Sequence, residues 1–428
     1  MKKKNIFFIA ILVMLISSIT IVNIYPSALI FKKYAGIASN YLPQPVMSVL
    51  HMVFSNKKNT KRIQNDFNVR FLKETQFRKI NFKKERLNFL ASNAPGYAGS
   101  GEVRQTFFIE THKENIFFID TKSNISFAKL NDLKNNKYLY KKISNKFNLD
   151  NESTKVLDMH INKNTVFVSR KIKINSCNYI VLDKAEISYE NLIFEQIFIN
   201  KDECQKAILG GKIATLRENQ VLLTTSADIL ANEDQSDTKP QDDASIFGKV
   251  LLIDTDTLDY KIFSKGWRNS LGLLVDGEFI FATDNGPWGG DEINLLSINK
   301  NYGWPKASLG ATYVFDAVNE IHEMYLDHEK AGYEEPIHSF VPSLGITEII
   351  KLENNFLAAW QDNYLVGTLN DYHLMRIKFN ENRTKVLFVE RIFIGERIRD
   401  LTYDKKNKMI ILALESTGSL GILTSSKK

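Results

Sequence analysis

Short hydrophobic runs alternate with polar turns along most of the chain, and the same arrangement returns six times. Each repeat contains two apolar runs joined by a short polar turn, which is the pattern of a β-hairpin. The second runs are the more apolar, and they are Ile116–Ile119, Val166–Val168, Val221–Thr224, Phe279–Ala282, Tyr364–Gly367 and Met409–Leu412. Most of them follow one another at 45 to 58 residues, and one interval of 85 residues predicts an insertion between about Leu295 and Pro342.

Further strand-like runs follow most of the hairpins, for example Lys249–Ile253 and Leu374–Phe379. Hairpins with outer strands that repeat at this period are typical of a β-propeller with four-stranded blades. The sequence therefore predicts an all-β fold, a six-bladed β-propeller. No amphipathic helix alternates with the strands, so a parallel α/β fold is not expected. A large β-sandwich and a propeller with another number of blades are the alternatives.

The N-terminal segment predicts a membrane anchor. Lys2–Lys4 precede an uncharged stretch, Asn5–Phe31, which ends at Lys32 and Lys33. Its most apolar part, Ile6–Ile24, is just long enough to cross a bilayer as a helix. We expect an uncleaved anchor with its N-terminus inside the cell, which places the rest of the chain in the periplasm or outside the cell. A cleaved signal peptide is the alternative, and it leads to the same compartment.

Charge and composition divide the chain into a basic end with the anchor (1–33), a basic stalk (34–100) and the propeller (101–428). Residues 1–95 contain 16 Lys and Arg but three Asp and Glu, so this part carries a net charge of +13 and the rest of the chain −6. The remaining, mildly acidic domain should repel phosphate groups, which argues against nucleic acid as a partner. A basic segment beside the anchor is instead suited to anionic lipid.

Two cysteines, Cys177 and Cys204, are present. In an exported chain they either form one disulfide or remain as two buried thiols. No Cys/His spacing of a metal site occurs.

The loops before the inner strands of a propeller gather at one mouth of its axis, where their polar residues converge on one pocket. Arg268 and Asn269 precede the fourth inner strand, and Arg397 and Arg399 precede the sixth. Arg397 and Arg399 are two residues apart and share one face of an extended chain. Paired guanidinium groups suit a small ligand with several carboxylates. The alternative is that the arginines form salt bridges between blades, for instance with Asp400.

A Gly-rich segment of the fourth blade, Asp284–Glu292, contains a Gly286-Pro287 turn and ends in two carboxylates. The segment Asn301–Pro305 follows. Backbone carbonyls and carboxylates are the oxygen donors that calcium requires, so together these segments predict a calcium site.

Five motifs in one order resemble the glucose/sorbosone dehydrogenase family, the soluble aldose dehydrogenases that depend on pyrroloquinoline quinone (PQQ). The motifs are G-x-R-N-x-x-G-L, N-G-P-x-G-G-D-E-I-N, N-Y-G-W-P, P-S-x-G-I-T and R-I-R-D. The resemblance extends from about Thr106 to Leu423. It implies a six-bladed propeller that holds PQQ and Ca²⁺ over the channel mouth and oxidises a sugar.

The resemblance also implies roles for single residues. The expected cofactor contacts are Arg268, Asn269, Arg397 and Arg399, with Asn370 at the position of a further contact. The expected metal ligands are the carbonyls of Gly286 and Pro287 for the cofactor calcium, and Glu292 with a carbonyl at Tyr302 for a structural calcium.

The chain departs from the family at three places. Ile208 stands where the family's H-x-G-[SG]-[RK] motif has its catalytic histidine, and Asn370 stands where a G-x-L-K motif has its lysine. Asp284-Asn285 replaces the Glu-His that precedes Gly-Pro. An isoleucine cannot accept the proton of a sugar hydroxyl.

Three hypotheses follow from the sequence. The first is a membrane-anchored PQQ-dependent sugar dehydrogenase whose activity is impaired. The second is a non-catalytic propeller that binds a small ligand or an envelope protein. The third treats the arginines as purely structural ties between blades.

Overall fold

The computed structural model describes residues 75–80, 93–95, 103–135, 137, 139–149, 154–228, 238–287, 289–310, 328–353 and 355–425. The predicted anchor and most of the predicted stalk lie outside these residues. No helix in the described part of the chain is long and apolar enough to span a bilayer.

The described residues form mainly β-strands. In chain order they are β1 (Thr75–Ile80), β2 (Asn93–Pro95), β3 (Val103–Gln105), β4 (Phe107–His112), β5 (Asn115–Asp120), β6 (Ile125–Lys129), β7 (Tyr140–Phe147), β8 (Lys155–Asn162), β9 (Thr165–Ile174), β10 (Cys177–Glu186), β11 (Asn191–Ile199), β12 (Gly210–Arg217), β13 (Gln220–Thr225), β14 (Lys249–Asp254), β15 (Tyr260–Lys265), β16 (Ser270–Asp276), β17 (Phe279–Asp284), β18 (Asp291–Leu295), β19 (Lys300–Asn301), β20 (His338–Phe340), β21 (Ile346–Lys351), β22 (Tyr364–Thr368), β23 (His373–Phe379), β24 (Val386–Phe393), β25 (Ile398–Asp404), β26 (Met409–Leu414) and β27 (Ser419–Ser425). Short helices are α1 (Leu130–Lys134), α2 (His328–Ala331) and two 3₁₀ turns, Lys239–Gln241 and Ala358–Trp360.

These strands form six blades around one axis. The blades are β4–β7, β8–β11, β12–β15, β16–β18 with β20, β21–β24, and β25–β27 with β1. The first strands of the six blades contact one another in chain order, and β25 of the sixth blade contacts β4 of the first. The ring is therefore closed, and the prediction of an all-β propeller is confirmed.

The hydrophobic cores lie between successive blades. Each of the six large clusters of buried side chains combines residues from two neighbouring blades. A strand inside a blade is therefore covered on both faces, which explains its continuous apolar run. All six residues of β26, for example, are buried.

The sixth blade takes its outer strand from the segment that precedes the first blade. β1 pairs antiparallel with β27, with Thr75 opposite Ser425 and Ile80 opposite Leu420. The propeller thus includes part of the predicted stalk and does not begin at residue 101. Composition concealed this strand because it lies within a basic segment, whereas its place in the fold depends on a partner 350 residues away.

Two further features of the chain have a clear place in the fold. The interval of 85 residues corresponds to a segment after β18 that contains β19 and α2, and β19 pairs with β15 of the third blade. Cys177 and Cys204 form a disulfide with their Cα atoms 5.7 Å apart. This pairing decides between the two alternatives that the sequence left open.

Candidate active site at the propeller mouth

The loops before β16, β21 and β25 lie together at one end of the axis, as propeller geometry predicts. The Asn285 amide donates a hydrogen bond of 2.8 Å to the carbonyl of Ile346, at the start of β21. A Cβ atom on Gly345 would lie 3.0 Å from the Asn370 amide nitrogen. Asn370 in turn accepts a hydrogen bond of 2.9 Å from Arg397. The predicted residues of the fourth, fifth and sixth blades are therefore neighbours.

Both arginines of the R-I-R-D motif bind one carboxylate that the sequence analysis did not single out. The Nε atoms of Arg397 and Arg399 donate to Oε1 and Oε2 of Glu415, each at 2.7 Å. Burial by itself would raise the pKa of Glu415, but the charges of Arg399 and Arg397 outweigh it and lower the pKa to about 2. Both arginines thus form salt bridges within their own blade, to Glu415, whereas the alternative predicted bridges between blades; Asp400 pairs with Lys212 instead.

The terminal nitrogens of the two arginines differ in their surroundings. Nη1 of Arg397 donates to the carbonyl of Leu369 at 3.0 Å and to the side chain of Asn370. The Nη atoms of Arg399 have no hydrogen-bond partner among the described residues, and the Arg399 side chain is 15% exposed. Arg399 is therefore anchored at one end of its guanidinium group and open to a ligand at the other.

Asp284 shapes the loop that carries Arg268 and Asn269. Its two carboxylate oxygens accept the backbone N–H groups of Arg268 at 2.8 Å and Asn269 at 2.6 Å. Burial raises the pKa of Asp284 to about 6, although these hydrogen bonds oppose the rise. The Asn269 side chain is buried, and its Oδ1 atom has no hydrogen-bond partner in the described part of the chain. A ligand that donates a hydrogen bond would satisfy this oxygen.

The Arg268 guanidinium lies against the Gly-Pro turn. Its Nη1 atom donates to the carbonyls of Asn285 at 2.9 Å and Gly286 at 3.2 Å, and its charge lies 5.2 Å from the ring of Trp304. The Gly286 carbonyl, expected as a ligand of the cofactor calcium, thus already faces a cation. This arrangement does not fit a calcium ion on the same oxygen.

Glu292 lines the same small cavity as Gly286 and Arg268. This cavity has a volume of about 10 Å³, and Asp284 and Tyr302 also line it. Burial, followed by the charges of Asp284 and Asp291, raises the pKa of Glu292 well above its ordinary value. A cation in this cavity would relieve that unfavourable charge. The described residues nevertheless contain no group of three His, Cys, Asp or Glu side chains arranged to hold a metal.

The Asp291 carboxylate links two loops at the propeller mouth through hydrogen bonds. Its Oδ2 atom accepts backbone N–H groups of Leu344 at 2.8 Å and Gly345 at 2.6 Å, just before β21. This carboxylate of the Gly-rich segment therefore holds two loops of the mouth together.

Ile208 belongs to the hydrophobic core between the second and third blades. It is 1% exposed, and the same core contains Phe198, Ile213 and Phe247. The position at which the resemblance places a histidine is thus filled by a packed apolar side chain.

A charged cluster that none of the sequence motifs predicted lies on the propeller axis. The ammonium of Lys212 is 2.6 Å from Asp158 and 3.6 Å from Asp400, and it also pairs with Glu348. We call these four residues the axial cluster. They line a channel cavity of about 230 Å³, as does His160. A signal was present, because Lys212, Glu348 and Asp400 are each the third residue of an inner strand.

Comparison with known proteins agrees with this fold. The family model described as Glucose / Sorbosone dehydrogenase matches residues 156–422. The "Aldose sugar dehydrogenase YliI" of Escherichia coli is 30% identical over 164 residues, which cover 37% of this chain and 43% of that protein. An uncharacterized Synechocystis protein is 27% identical over 42% of this chain and 46% of its own length. The alignments thus span less than half of these curated relatives.

Solved structures support the fold over a longer part of the chain. The apo form of the soluble aldose sugar dehydrogenase from Escherichia coli superimposes with a TM-score of 0.64 at 16% identity, over 83% of this chain and all of that one. The PQQ-bound form of aldose sugar dehydrogenase from Streptomyces coelicolor gives 0.54 at 16% identity, over 82% of this chain and 99% of that one. At such identities the likeness establishes the propeller fold alone.

Proposed function

Because the chain belongs to the glucose/sorbosone dehydrogenase family, we propose that it binds PQQ at the propeller mouth and acts through it on an aldose sugar. The observation that carries this proposal is Arg399, whose guanidinium is anchored to Glu415 but has no partner at its Nη atoms in the described part. Such a group offers two parallel N–H donors to a carboxylate. Bound PQQ would supply the two-electron acceptor.

Each residue at the propeller mouth would make a different contribution to ligand binding. Arg399 would donate to a ligand carboxylate through its Nη atoms. Arg397, which Glu415 and Asn370 hold in place, would add positive charge beside it. The buried Asn269 oxygen would accept a hydrogen bond from the ligand. Together these groups select an anionic, hydrogen-bonding molecule over a neutral apolar one.

The proton chemistry is the impaired part of the proposed activity. A sugar hydroxyl loses its proton as the carbon is oxidised, and Ile208 offers no acceptor for it. The absence of a positioned base usually lowers the rate by about 10²- to 10⁴-fold. We therefore expect slow oxidation by the unmodified protein.

A second candidate function is a propeller that binds an anionic small ligand, or an envelope protein, without oxidising it. Two observations favour it. Ile208 is packed in a hydrophobic core. The side-chain oxygen of Asn370, at the position where the resemblance implies a lysine, accepts a hydrogen bond from Arg397. Both candidate functions use the same site at the propeller mouth, so a measurement of sugar oxidation distinguishes them.

Calcium enters the proposal at one place. Glu292, Tyr302, Gly286 and Arg268 line one small cavity, and Arg268 engages the Gly286 carbonyl there. We therefore propose Glu292 with Tyr302 as the ligands of any calcium, and none at Gly286 and Pro287, where the Gly286 carbonyl faces Arg268.

The cellular location is part of the same proposal. The apolar segment Ile6–Ile24 between lysines supports a membrane anchor with the propeller in the periplasm or outside the cell. The disulfide between Cys177 and Cys204 fits an oxidising compartment.

The experiment is a titration of PQQ into the detergent-solubilised full chain, with and without Ca²⁺, followed by dye reduction with a panel of aldoses. Binding with slow turnover supports the proposed dehydrogenase, and binding without turnover supports the second candidate. If PQQ does not bind at micromolar concentration, the proposal fails.

Arg399→Met provides the specific test of the site. Loss of charge-assisted hydrogen bonds should weaken PQQ binding by about 10- to 100-fold. Arg217→Met, at the exposed end of β12 in the third blade, is the matched control and should leave the affinity unchanged. Equal affinities of the two variants would exclude Arg399 as a ligand contact.

A further inference from the structure

Glu415 occupies an unusual place beneath the arginine pair. It directly follows β26, its side chain is fully buried, and each of its two oxygens accepts one arginine Nε at 2.7 Å. One carboxylate therefore fixes two guanidinium groups at once, and the spacing of its oxygens sets the spacing of the groups.

The carboxylate itself is held from several sides. The backbone N–H of Glu415 donates to the carbonyl of Arg397 at 3.0 Å, and its own carbonyl accepts from Gln105 at 2.8 Å. The hydroxyl of Thr106 donates to Oε2 at 3.1 Å. Gln105 and Thr106 lead into the first blade, so Glu415 sits where the ring closes and is shielded from displacement.

The arginine atoms that bind Glu415 indicate what this carboxylate does. A carboxylate that served only as a counter-ion would usually accept a bidentate pair from one guanidinium. Here it takes the inner Nε of each arginine and leaves the terminal nitrogens pointing elsewhere. Among the described residues, the Nη atoms of Arg399 bind nothing.

We propose that Glu415 is the positioning residue of the ligand site, holding Arg397 and Arg399 so that the terminal nitrogens of Arg399, with the charge of Arg397 beside them, meet an anionic ligand in a fixed geometry. The proposal rests on the proposed function, because it assigns to these arginines the carboxylates of PQQ. It adds a residue that contacts no ligand and acts through the arginines. Glu415 also cancels one of their two charges, so the pair presents a net charge of +1.

The decisive variant is Glu415→Asp, which keeps the charge but shortens the side chain by one methylene. It cannot reach both Nε atoms, so one guanidinium loses its anchor. We expect PQQ affinity to fall at least 10-fold while its salt dependence stays the same, because the net charge of the site is unchanged. A purely structural role would lower the melting temperature without this loss of affinity.

The matched control is Glu390→Asp in the fifth blade. Glu390 is a buried partner of an arginine Nε as well, at 2.6 Å from Arg376, and it lies on outer strand β24. The substitution makes the same chemical change in the same kind of pair. It should leave PQQ affinity within 2-fold of the wild type.

Two readouts separate this proposal from the proposed function. Side-chain Nε–H signals of labelled arginines report the two bonds to Glu415 without any ligand, and Glu415→Asp should remove at least one of them. Citrate is titrated as an alternative tricarboxylate probe. If wild type binds citrate but not PQQ, and Glu415→Asp weakens citrate, the proposed function fails and the positioning role stands.

The positioning role is overturned by either of two results. One is that both Nε–H signals persist in Glu415→Asp and ligand affinity remains within 2-fold of wild type. The other is that Glu390→Asp weakens the ligand as much as Glu415→Asp, which would indicate general loosening of the propeller. Failure of wild type to bind either anion would also reject it.

Discussion

Among single residues, Ile208 is the one that stands where the resemblance implies a catalytic histidine. The position is enclosed by the core between the second and third blades, so an apolar side chain there contributes to folding. Restoring a histidine would consequently be a change of packing as well as of chemistry.

Ile208→His is expected to destabilise the protein. Burying an imidazole without a partner in this core should lower the free energy of unfolding by about 1–3 kcal/mol. Urea unfolding of the purified variant measures the loss. Ile208→Val, which removes one methylene, is the control at about 0.5–1.5 kcal/mol. A stable Ile208→His variant with raised dye-linked oxidation would show that the side chain reaches the mouth.

At the scale of elements, the disulfide fastens the second blade to the chain that leads into the third. Cys177 begins β10, and Cys204 lies in the connection between β11 and β12. An isolated bridge, Asn178 to Gln205, joins the same two segments. The connection is therefore held by one covalent and two backbone links.

Reduction of the disulfide should lower stability without unfolding the protein. A bridge that closes a loop of this length contributes about 2–4 kcal/mol, mainly by restricting the unfolded chain. Thermal unfolding with and without a phosphine reductant measures the difference. The double variant Cys177→Ser with Cys204→Ser should start at the lower stability and not respond to reductant. An identical response in both proteins would contradict this assignment.

At the scale of the whole molecule, the axial cluster joins four of the six blades through one ammonium group. Lys212 lies on β12, while its partners Asp158, Glu348 and Asp400 lie on β8, β21 and β25. Three buried carboxyl groups share a single positive charge. Burial raises the pKa of Glu348 to about 8 and of Asp400 to about 6, against the opposing attraction of Lys212.

Stability should depend on pH through this cluster. A carboxyl group whose pKa is raised in the folded state stabilises it fully below the ordinary pKa, and this contribution is lost as pH rises through the folded value. The free energy of unfolding should therefore fall between about pH 4.5 and pH 8. Urea unfolding across this range should show a flatter profile for Glu348→Gln. An unchanged slope would contradict the raised pKa of Glu348.

Removal of the shared ammonium should be more damaging than removal of any exposed lysine. Lys212→Met leaves three buried carboxyl groups without a cation and should cost about 3–5 kcal/mol. Lys163→Met, which breaks the exposed pair with Glu218, should leave the stability nearly unchanged. Equal losses in the two variants would show that the cluster does not tie the blades together.

The sequence by itself determined the hairpin repeat and its six occurrences, and it predicted the loops in which the arginines lie. These follow from local periodicity, since a strand covered on both faces must be apolar wherever its partners lie. The order of the five motifs also gave the family. The resemblance placed Arg268, Asn269, Arg397 and Arg399 at one mouth, and the structure links their loops through the contacts of Asn285 with Ile346 and of Asn370 with Arg397.

Only the tertiary structure decided which groups these side chains meet. Glu415 is the partner of both arginines, Arg268 engages the Gly286 carbonyl, and the outer strand β1 closes the sixth blade. The axial cluster combines residues from four blades. Each of these contacts joins segments that no local pattern links, because their distance in space is set by closure of the ring and not by separation along the chain.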